Sequence, residues 1–170
     1  MKAKNISVLT IIVLFFSASI FMLHNFSSGL QKRANLYENI PVFQLPDLNG
    51  KTISDSTIDR NKTVLFYFFD TECNLCRSTF AAFKTNFDEL SGYQILLITL
   101  VSEEKVKEFL NEIDFNPPGN MKILLDKNAK LFSLMDIKSP PTTLIYKKAI
   151  LIKRFDGPVT VEALIKYLSE

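Results

Sequence analysis

Residue types that often carry chemistry are scarce in this sequence. Its 170 residues include no tryptophan, one histidine and two cysteines. A structural zinc site needs four Cys or His ligands, and the only histidine, His24, lies far from both cysteines along the chain. The sequence therefore predicts neither a metal site nor a bound cofactor.

Acidic residues are absent from the first 33 positions, which contain Lys2, Lys4, Lys32 and Arg33. These four residues mask the charge of the rest of the chain, where 16 basic and 18 acidic residues leave a balance of −2. The later charges are scattered and form no basic patch. We therefore predict no nucleic-acid partner.

An uncharged stretch of 18 residues, Ile6 to Leu23, follows the first two lysines. Its length is about enough to cross a bilayer. A cleavable signal sequence would end in small residues, and Ser17 to Ser19 qualify, but the apolar run continues beyond them. We therefore expect residues 1–24 to be an uncleaved transmembrane anchor rather than a signal sequence.

The lysines at the N-terminus also predict the orientation of this anchor. By the positive-inside rule, the short N-terminus stays in the cytoplasm and the rest of the chain is exported. The expected location is a bacterial-type cytoplasmic membrane, with the domain on the periplasmic or extracellular side. Residues 25–39, which are polar and irregular, are predicted to be a tether.

Residues 40–170 are long enough to bury one good core. Two short strand patterns flank Asn49-Gly50, a strong signal for a β-hairpin. Further strands are predicted near 63–69, 93–101, 121–125, 142–146 and 150–155, and helices near 78–90, 102–113, 130–135 and 161–168. This alternation predicts an α/β fold in which helices cover both faces of a parallel core sheet, with the late hairpin adding antiparallel edges.

The two cysteines, Cys73 and Cys76, lie where a β-rich run gives way to a helical pattern. A cysteine at a helix N-terminus faces unpaired backbone N–H groups and the positive end of the helix dipole, both of which stabilise a thiolate. A second cysteine three residues later lies on the same helix face, within reach of a disulfide. We predict that Cys73 is the nucleophile and that Cys76 resolves a mixed disulfide.

A purely structural disulfide is the main alternative for this pair. Such a bridge would close a very small loop and would constrain the unfolded chain little. We therefore favour redox chemistry.

Four stretches in order resemble the thioredoxin-fold, membrane-anchored thiol-disulfide oxidoreductases, the TlpA-like branch of the redoxin (AhpC/TSA) superfamily. They are the hairpin segment Pro41 to Lys51, the strand and Cys-x-x-Cys of Val64 to Cys76, Pro141 to Thr143 before a strand, and Phe155 to Gly157 before the last helix. The resemblance implies a thioredoxin-like fold with a central mixed sheet flanked by helices. It also implies a cis-proline at Pro141, with Pro140 and Thr142 beside it in a substrate groove.

The sequence departs from this family at several positions that usually adjust the cysteine pair. Glu72 stands where a tryptophan is usual, Thr79 replaces a carboxylate, and Tyr67 takes the place of the buried aspartate of thioredoxin. Glu72 is a candidate for tuning Cys73, although a nearby carboxylate disfavours a thiolate. Its alternative role is that of an exposed acid that suits the helix dipole. Pro140 removes one backbone N–H near the groove.

The resemblance predicts an exported, membrane-tethered oxidoreductase that acts on protein disulfides or dithiols. Analogy with relatives favours reduction of exported proteins, fed by a membrane electron donor. One alternative is a thioredoxin-like binding or metal-delivery protein without turnover. Another is a peroxiredoxin-like peroxidase, although the Thr and Arg that activate peroxide are not apparent.

Overall fold

The computed structural model describes residues 11–26 and 37–169. The chain divides into two compact units, Met1–Leu36 and Tyr37–Glu170. Within the described residues, no helix is long and apolar enough to cross a membrane. Residues 1–10 of the predicted anchor and 27–36 of the predicted tether lie outside the described residues.

In the first unit, residues 11–26 form helix α1. Every described residue of α1 is exposed, including large apolar side chains such as Leu14 and Phe15. The hydroxyl groups of Ser17 and Ser19 donate to the carbonyl oxygens of Leu14 and Phe15, each at 2.9 Å. These two hydroxyl groups are thus satisfied within the helix.

Residues 37–169 of the second unit contain seven strands, five further α-helices and a short 3-10 helix at Asp55–Thr57. The strands are β1 (Gln44–Pro46), β2 (Thr52–Ser54), β3 (Val64–Phe68), β4 (Gln94–Thr99), β5 (Met121–Leu125), β6 (Thr142–Lys147) and β7 (Ile150–Asp156). The helices are α2 (Asn74–Thr85), α3 (Phe87–Leu90), α4 (Glu103–Glu112), α5 (Lys130–Leu134) and α6 (Val161–Ser169).

The central sheet is mixed, in the order β5-β4-β3-β6-β7. Strands β3, β4 and β5 are parallel, whereas β6 runs antiparallel to both β3 and β7. Strands β1 and β2 form the predicted separate hairpin. The α/β, thioredoxin-like architecture with a central mixed sheet is confirmed. The sequence predicted antiparallel edges from the late hairpin, which is β6–β7. Only β7 lies at an edge of the sheet, because β6 lies beside the central β3.

Side chains of β3 alternate between two apolar layers, as expected for a strand buried on both faces. Leu65 and Tyr67 pack with the apolar sides of α2, α4 and α6. Phe66 and Phe68 pack on the other face with α5 and the β1–β2 hairpin. The strand therefore holds the two halves of the core together.

Helix α2 forms because its buried residues, among them Cys76, Phe80 and Phe83, recur at helical spacing. The apolar pattern continues to Leu90 and predicts one helix, but the structure divides it at Asn86 into α2 and α3. The Asn86 side chain donates to the carbonyl oxygen of Ala82 at 2.8 Å. Asparagine competes with the helix in this way because its amide can replace a backbone partner.

Residues 37–39, assigned to the tether from the sequence, belong to the second unit and contact its β6–β7 hairpin. The carbonyl oxygen of Glu38 accepts from Leu151 N at 2.7 Å, and that of Tyr37 accepts from the Tyr146 hydroxyl at 2.7 Å. Ile40 N donates to the carbonyl oxygen of Ala149 at 3.1 Å. This segment therefore covers part of the β6–β7 hairpin.

The β6–β7 turn provides a test of the fold. Lys148 and Ala149 have φ of 52° and 65° and form the two-residue tip. Left-handed φ at both positions favours Asn or Gly over Lys. We predict that Lys148→Asn raises the free energy of unfolding by about 0.5–1 kcal/mol, measured by denaturant unfolding.

Lys147→Asn is the matched control, because Lys147 is the last residue of β6 and pairs with Ile150. Asparagine is depleted in strands, so this substitution should give no gain. An equal gain in both variants would show that the turn conformation is not responsible.

Candidate active site

The cysteine pair lies where the central strand β3 leads into α2. The side chain of Asp70 shapes the intervening turn, because its Oδ1 accepts from Glu72 N at 2.8 Å. The Asp70 carbonyl oxygen accepts from Cys73 N at 3.3 Å. These two bonds bring Cys73 to the N-cap position of α2, as the junction of strand and helix predicted.

The two sulfur atoms differ sharply in access to solvent. Cys73 is partly exposed, whereas Cys76 is fully buried at 0%. Both are free thiols, and Cys73 Sγ accepts a hydrogen bond from Cys76 N at 3.2 Å. A partner protein can therefore reach Cys73 first, and a disulfide on Cys73 is next to Cys76.

Burial also separates the acidities of the pair. Loss of hydration raises the pKa of Cys76 to about 12, and its hydrogen bond with Cys73 acts in the same direction. The backbone at Asp70 lowers the pKa, but less than burial raises it. Cys76 is therefore a neutral thiol in the reduced protein at neutral pH.

Residues 139–141 form a loop before β6, here called the proline loop, and the pairing of β6 with β3 brings this loop to the cysteine pair. The Pro140–Pro141 bond is cis, as the resemblance implied. Thr142 lies opposite Phe68, the last residue of β3. The proline loop and the turn from Phe69 to Cys73, here called the cysteine turn, therefore lie at the same end of the sheet. The structure thus brings together two parts of the chain that are far apart in sequence.

The three predicted groove residues differ in exposure. Pro140 is partly exposed, whereas Pro141 and Thr142 are buried. The Thr142 hydroxyl donates to the carbonyl oxygen of Ser139 at 2.8 Å, and the Pro141 carbonyl oxygen accepts from Gly157 N at 2.9 Å. Pro140 is therefore the member of this set that offers surface to a partner.

A groove of about 440 Å³ adjoins the cysteine turn. Asp70 lies on its wall together with Pro140, and Leu100, Phe132 and Lys138 also line it. Leu100 is 46% exposed, so the groove presents apolar surface between charged side chains. The groove therefore offers both apolar and charged surface beside the cysteine turn.

Glu72 lies at the protein surface. Its side chain is 85% exposed, and Lys105 Nζ lies 3.9 Å from its carboxylate. An ion pair this exposed and this long contributes little energy. The geometry therefore fits the role of an exposed acid near the helix N-terminus.

Sequence reasoning missed a side chain that ties β7 to the segment just before the proline loop. Arg154 of β7 donates from Nη1 to the Met135 carbonyl oxygen at 2.7 Å and from Nη2 to that of Asp136 at 3.0 Å. Its guanidinium also lies 4.7 Å from the ring centre of Tyr37. An arginine in an alternating edge strand gives no sequence signal for this role, because its carbonyl partners come from another part of the chain.

No cluster of three or more His, Cys, Asp or Glu suited to a metal ion occurs within residues 11–26 and 37–169. Cys73 and Cys76 alone supply two sulfur ligands, fewer than a structural zinc ion needs. The chemistry available to this site is thiol-disulfide exchange.

Comparisons with known proteins agree with this geometry. Residues 36–159, more than half of the chain, match the model of the AhpC/TSA family. A thioredoxin-like protein of Haemophilus influenzae is 30% identical over 119 residues, which cover 69% of this chain and 68% of that protein.

Two solved structures show the same fold at lower identity. A thiol-disulfide oxidoreductase from Bacteroides fragilis is 19% identical with a TM-score of 0.61, and the match covers 77% of this chain and 97% of that chain. Peroxidoxin BcpB from Mycobacterium tuberculosis is 14% identical with a TM-score of 0.66, covering 77% of this chain and 94% of that chain. The chain therefore belongs to the AhpC/TSA family and is an oxidoreductase of the thioredoxin type, in the thiol-disulfide class.

Proposed function

We propose that this protein exchanges disulfides with other exported proteins through Cys73 and Cys76. The observation that carries the proposal is the unequal burial of two sulfur atoms joined by one helix turn. Cys73 is accessible at the N-cap of α2, and Cys76 is enclosed directly behind it. An exposed nucleophile backed by a protected resolving thiol is what a two-step exchange needs.

In the reducing direction, the Cys73 thiolate attacks a substrate disulfide. A Cys73–substrate bond forms, and the substrate's second sulfur leaves as a thiolate that takes up a proton. Cys76 then loses its proton and attacks Cys73 Sγ, which releases the first substrate sulfur. The substrate gains two electrons and two protons, and the protein holds a Cys73–Cys76 disulfide.

The proline loop is proposed to guide the substrate. Pro140 faces the groove and, lacking an N–H, offers only its carbonyl oxygen to a bound chain. Pro141 and Thr142, which are buried, are proposed to set the conformation of the loop. The proposed tuning by Glu72 acts through solvent on Cys73, because the Glu72 carboxylate is exposed.

By analogy with relatives, we propose that the protein reduces disulfides of exported proteins in the cell. Reduction of exported proteins would leave the pair oxidised after each turnover. A membrane electron donor would then return two electrons to it. The immediate partners are therefore protein disulfides on one side and such a donor on the other.

The first test of this function is reduction of insulin disulfides by dithiothreitol. We expect Cys73→Ser to reduce the rate to that of the uncatalysed reaction, because no accessible thiolate remains. Cys76→Ser should still attack but should accumulate as a mixed disulfide, detected by mass spectrometry without reductant.

Ser78→Ala is the control, since Ser78 is an exposed residue of α2 whose hydroxyl bonds its own helix at Asn74. This variant should keep the wild-type rate. Unchanged insulin reduction by Cys73→Ser would contradict the proposal. A wild-type protein that consumes peroxide but not insulin disulfides would favour the peroxidase, and one that does neither would favour a binding protein.

We also propose that α1 belongs to a membrane anchor that holds the domain on the exported side. The described part of the helix exposes apolar side chains all round, and its two serine hydroxyls are satisfied by its own backbone. Both properties suit a helix in lipid, where unpaired polar groups are costly. The uncharged run from Ile6 to Leu23 supplies enough residues to span.

Fractionation of a bacterial host tests the anchor. We expect the full-length protein in the membrane fraction after a carbonate wash, with an intact mass that retains residues 1–24. Cys73 should react with a membrane-impermeant thiol reagent in whole cells that expose the periplasm. Val13→Arg combined with Phe16→Arg should release the protein, because each arginine costs about 2.5–3.5 kcal/mol at a helix centre.

His24→Arg is the control, since a charge at the end of the apolar run does not enter the bilayer centre. This variant should stay in the membrane. A soluble exported protein that begins after Ser19 would identify a cleaved signal sequence instead and would overturn the anchor.

A further inference from the structure

The hydroxyl group of Tyr67 lies in the core between β3 and α2. The residue is 1% exposed, and its ring makes edge contacts with Phe80 and Phe83 at centroid distances of 6.2 and 5.5 Å. The hydroxyl oxygen is buried and has no hydrogen-bond partner among the residues that the structure describes. Such orphaned groups are rare in native cores, because their lost hydration is not compensated.

Two polar side chains of α2 are the neighbours of this hydroxyl group, the Cys76 thiol and the Thr79 hydroxyl. Thr79 already donates its hydrogen to the Leu75 carbonyl oxygen at 3.0 Å. Cys76 is therefore the neighbour whose ability to accept a hydrogen bond changes during the reaction.

A thiol is a weak hydrogen-bond acceptor, whereas a thiolate accepts a strong, charge-assisted bond. The Tyr67 hydroxyl is bonded to no acceptor while Cys76 is protonated, and it gains a strong one when Cys76 loses its proton. Burial and the nearby Cys76 charge hold the pKa of Tyr67 well above its usual value. Tyr67 therefore keeps its proton and acts as a donor, not as a base.

We propose that Tyr67 is a catalytic residue whose hydroxyl group donates a hydrogen bond to the Cys76 thiolate during resolution of the mixed disulfide. The proposal rests on the exchange function above, because it concerns the second sulfur of the same pair. An interaction that is weak with the thiol and strong with the thiolate favours the attacking state over the ground state.

The atoms of the step balance without a change at Tyr67. Cys76 gives its proton to solvent and attacks Cys73 Sγ, so the Cys73–Cys76 bond forms. The bond from Cys73 to the substrate breaks, and the departing substrate thiolate takes a proton from solvent. Tyr67 starts and ends as a neutral phenol.

The other surroundings of Cys76 are mainly apolar in the part of the chain that the structure describes. The residues of α6 that pack into this part of the core are Val161, Leu164 and Leu168, and those of β4 are Ile95 and Leu97. On β6, Thr143 lies opposite Tyr67 and carries a neutral hydroxyl. Cys73 is the titratable neighbour, Asp70 acts on Cys76 through its backbone, and Glu72 is exposed.

The test follows the two steps separately in the full-length protein with dithiobis-nitrobenzoate, whose thiolate product is coloured. Attack by Cys73 releases the first product at a rate that rises with reagent concentration. Resolution by Cys76 releases the second at a rate independent of concentration. The second rate should increase with pH, because Cys76 must lose its proton to attack.

Tyr67→Phe should leave the first rate unchanged and slow the second about tenfold at neutral pH, with the pH of half-maximal rate about 1 higher. The ring contacts remain, and the oxygen removed has no partner, so the variant should unfold at no lower denaturant concentration than wild type. Tyr146→Phe is the matched control, because Tyr146 is buried on the other face of the sheet and donates to Tyr37. It should lose stability and keep both rates.

Equal second rates and pH profiles in wild type and Tyr67→Phe would overturn the role of Tyr67 while leaving the exchange function intact. Slowing of both phases together would also overturn it, since displacement of the whole pair would then be the cause. Absence of the first phase in wild type would overturn the exchange function itself and the role of Tyr67 with it.

Discussion

Packing of α2 against β3 is the interaction on which the rest of the site depends. Phe80 and Phe83 fill the space over Tyr67, and this contact sets the height and rotation of the helix above the sheet. Because Cys76 lies one turn before Phe80, the same contact pushes its sulfur into the core. Cys73, at the end of the helix, is left at the surface. Different chemical environments for two neighbouring sulfurs thus follow from ordinary hydrophobic burial.

The order of the sheet completes the site. Because β6 lies antiparallel beside β3, the strand that begins after the cis-proline starts where β3 ends. Arg154, one strand further out, bonds two carbonyl groups of the segment before the loop. The segment before the loop is therefore tied to β7, and the strand after it is tied to β3. Fixed flanks limit the entropy that a loop beside a reactive sulfur loses when a substrate binds.

Much of this arrangement was predictable, because the signals are local. Apolar runs predicted the strands of the central sheet, and the change to helical spacing after Phe69 predicted the position of Cys73. The break at Asn86 was missed, because a side chain that caps its own helix competes with the apolar pattern. The contacts of Arg154 were not predictable, because its carbonyl partners are near it only in the fold. The resemblance placed Tyr67 at the position of a residue that usually adjusts the cysteine pair, but the unpartnered state of its buried hydroxyl group appears only in the structure.

The enclosure of Cys76 has a consequence for oxidative damage. A peroxide that reaches Cys73 would convert it to a sulfenic acid, and further oxidation to sulfinic acid is irreversible in most proteins. Cys76 is adjacent through the 3.2 Å contact between its backbone nitrogen and Cys73 Sγ, and it is shielded from the oxidant. It can condense with the sulfenic acid to form a disulfide before a second oxidation occurs. The buried thiol therefore also protects the exposed one from irreversible oxidation.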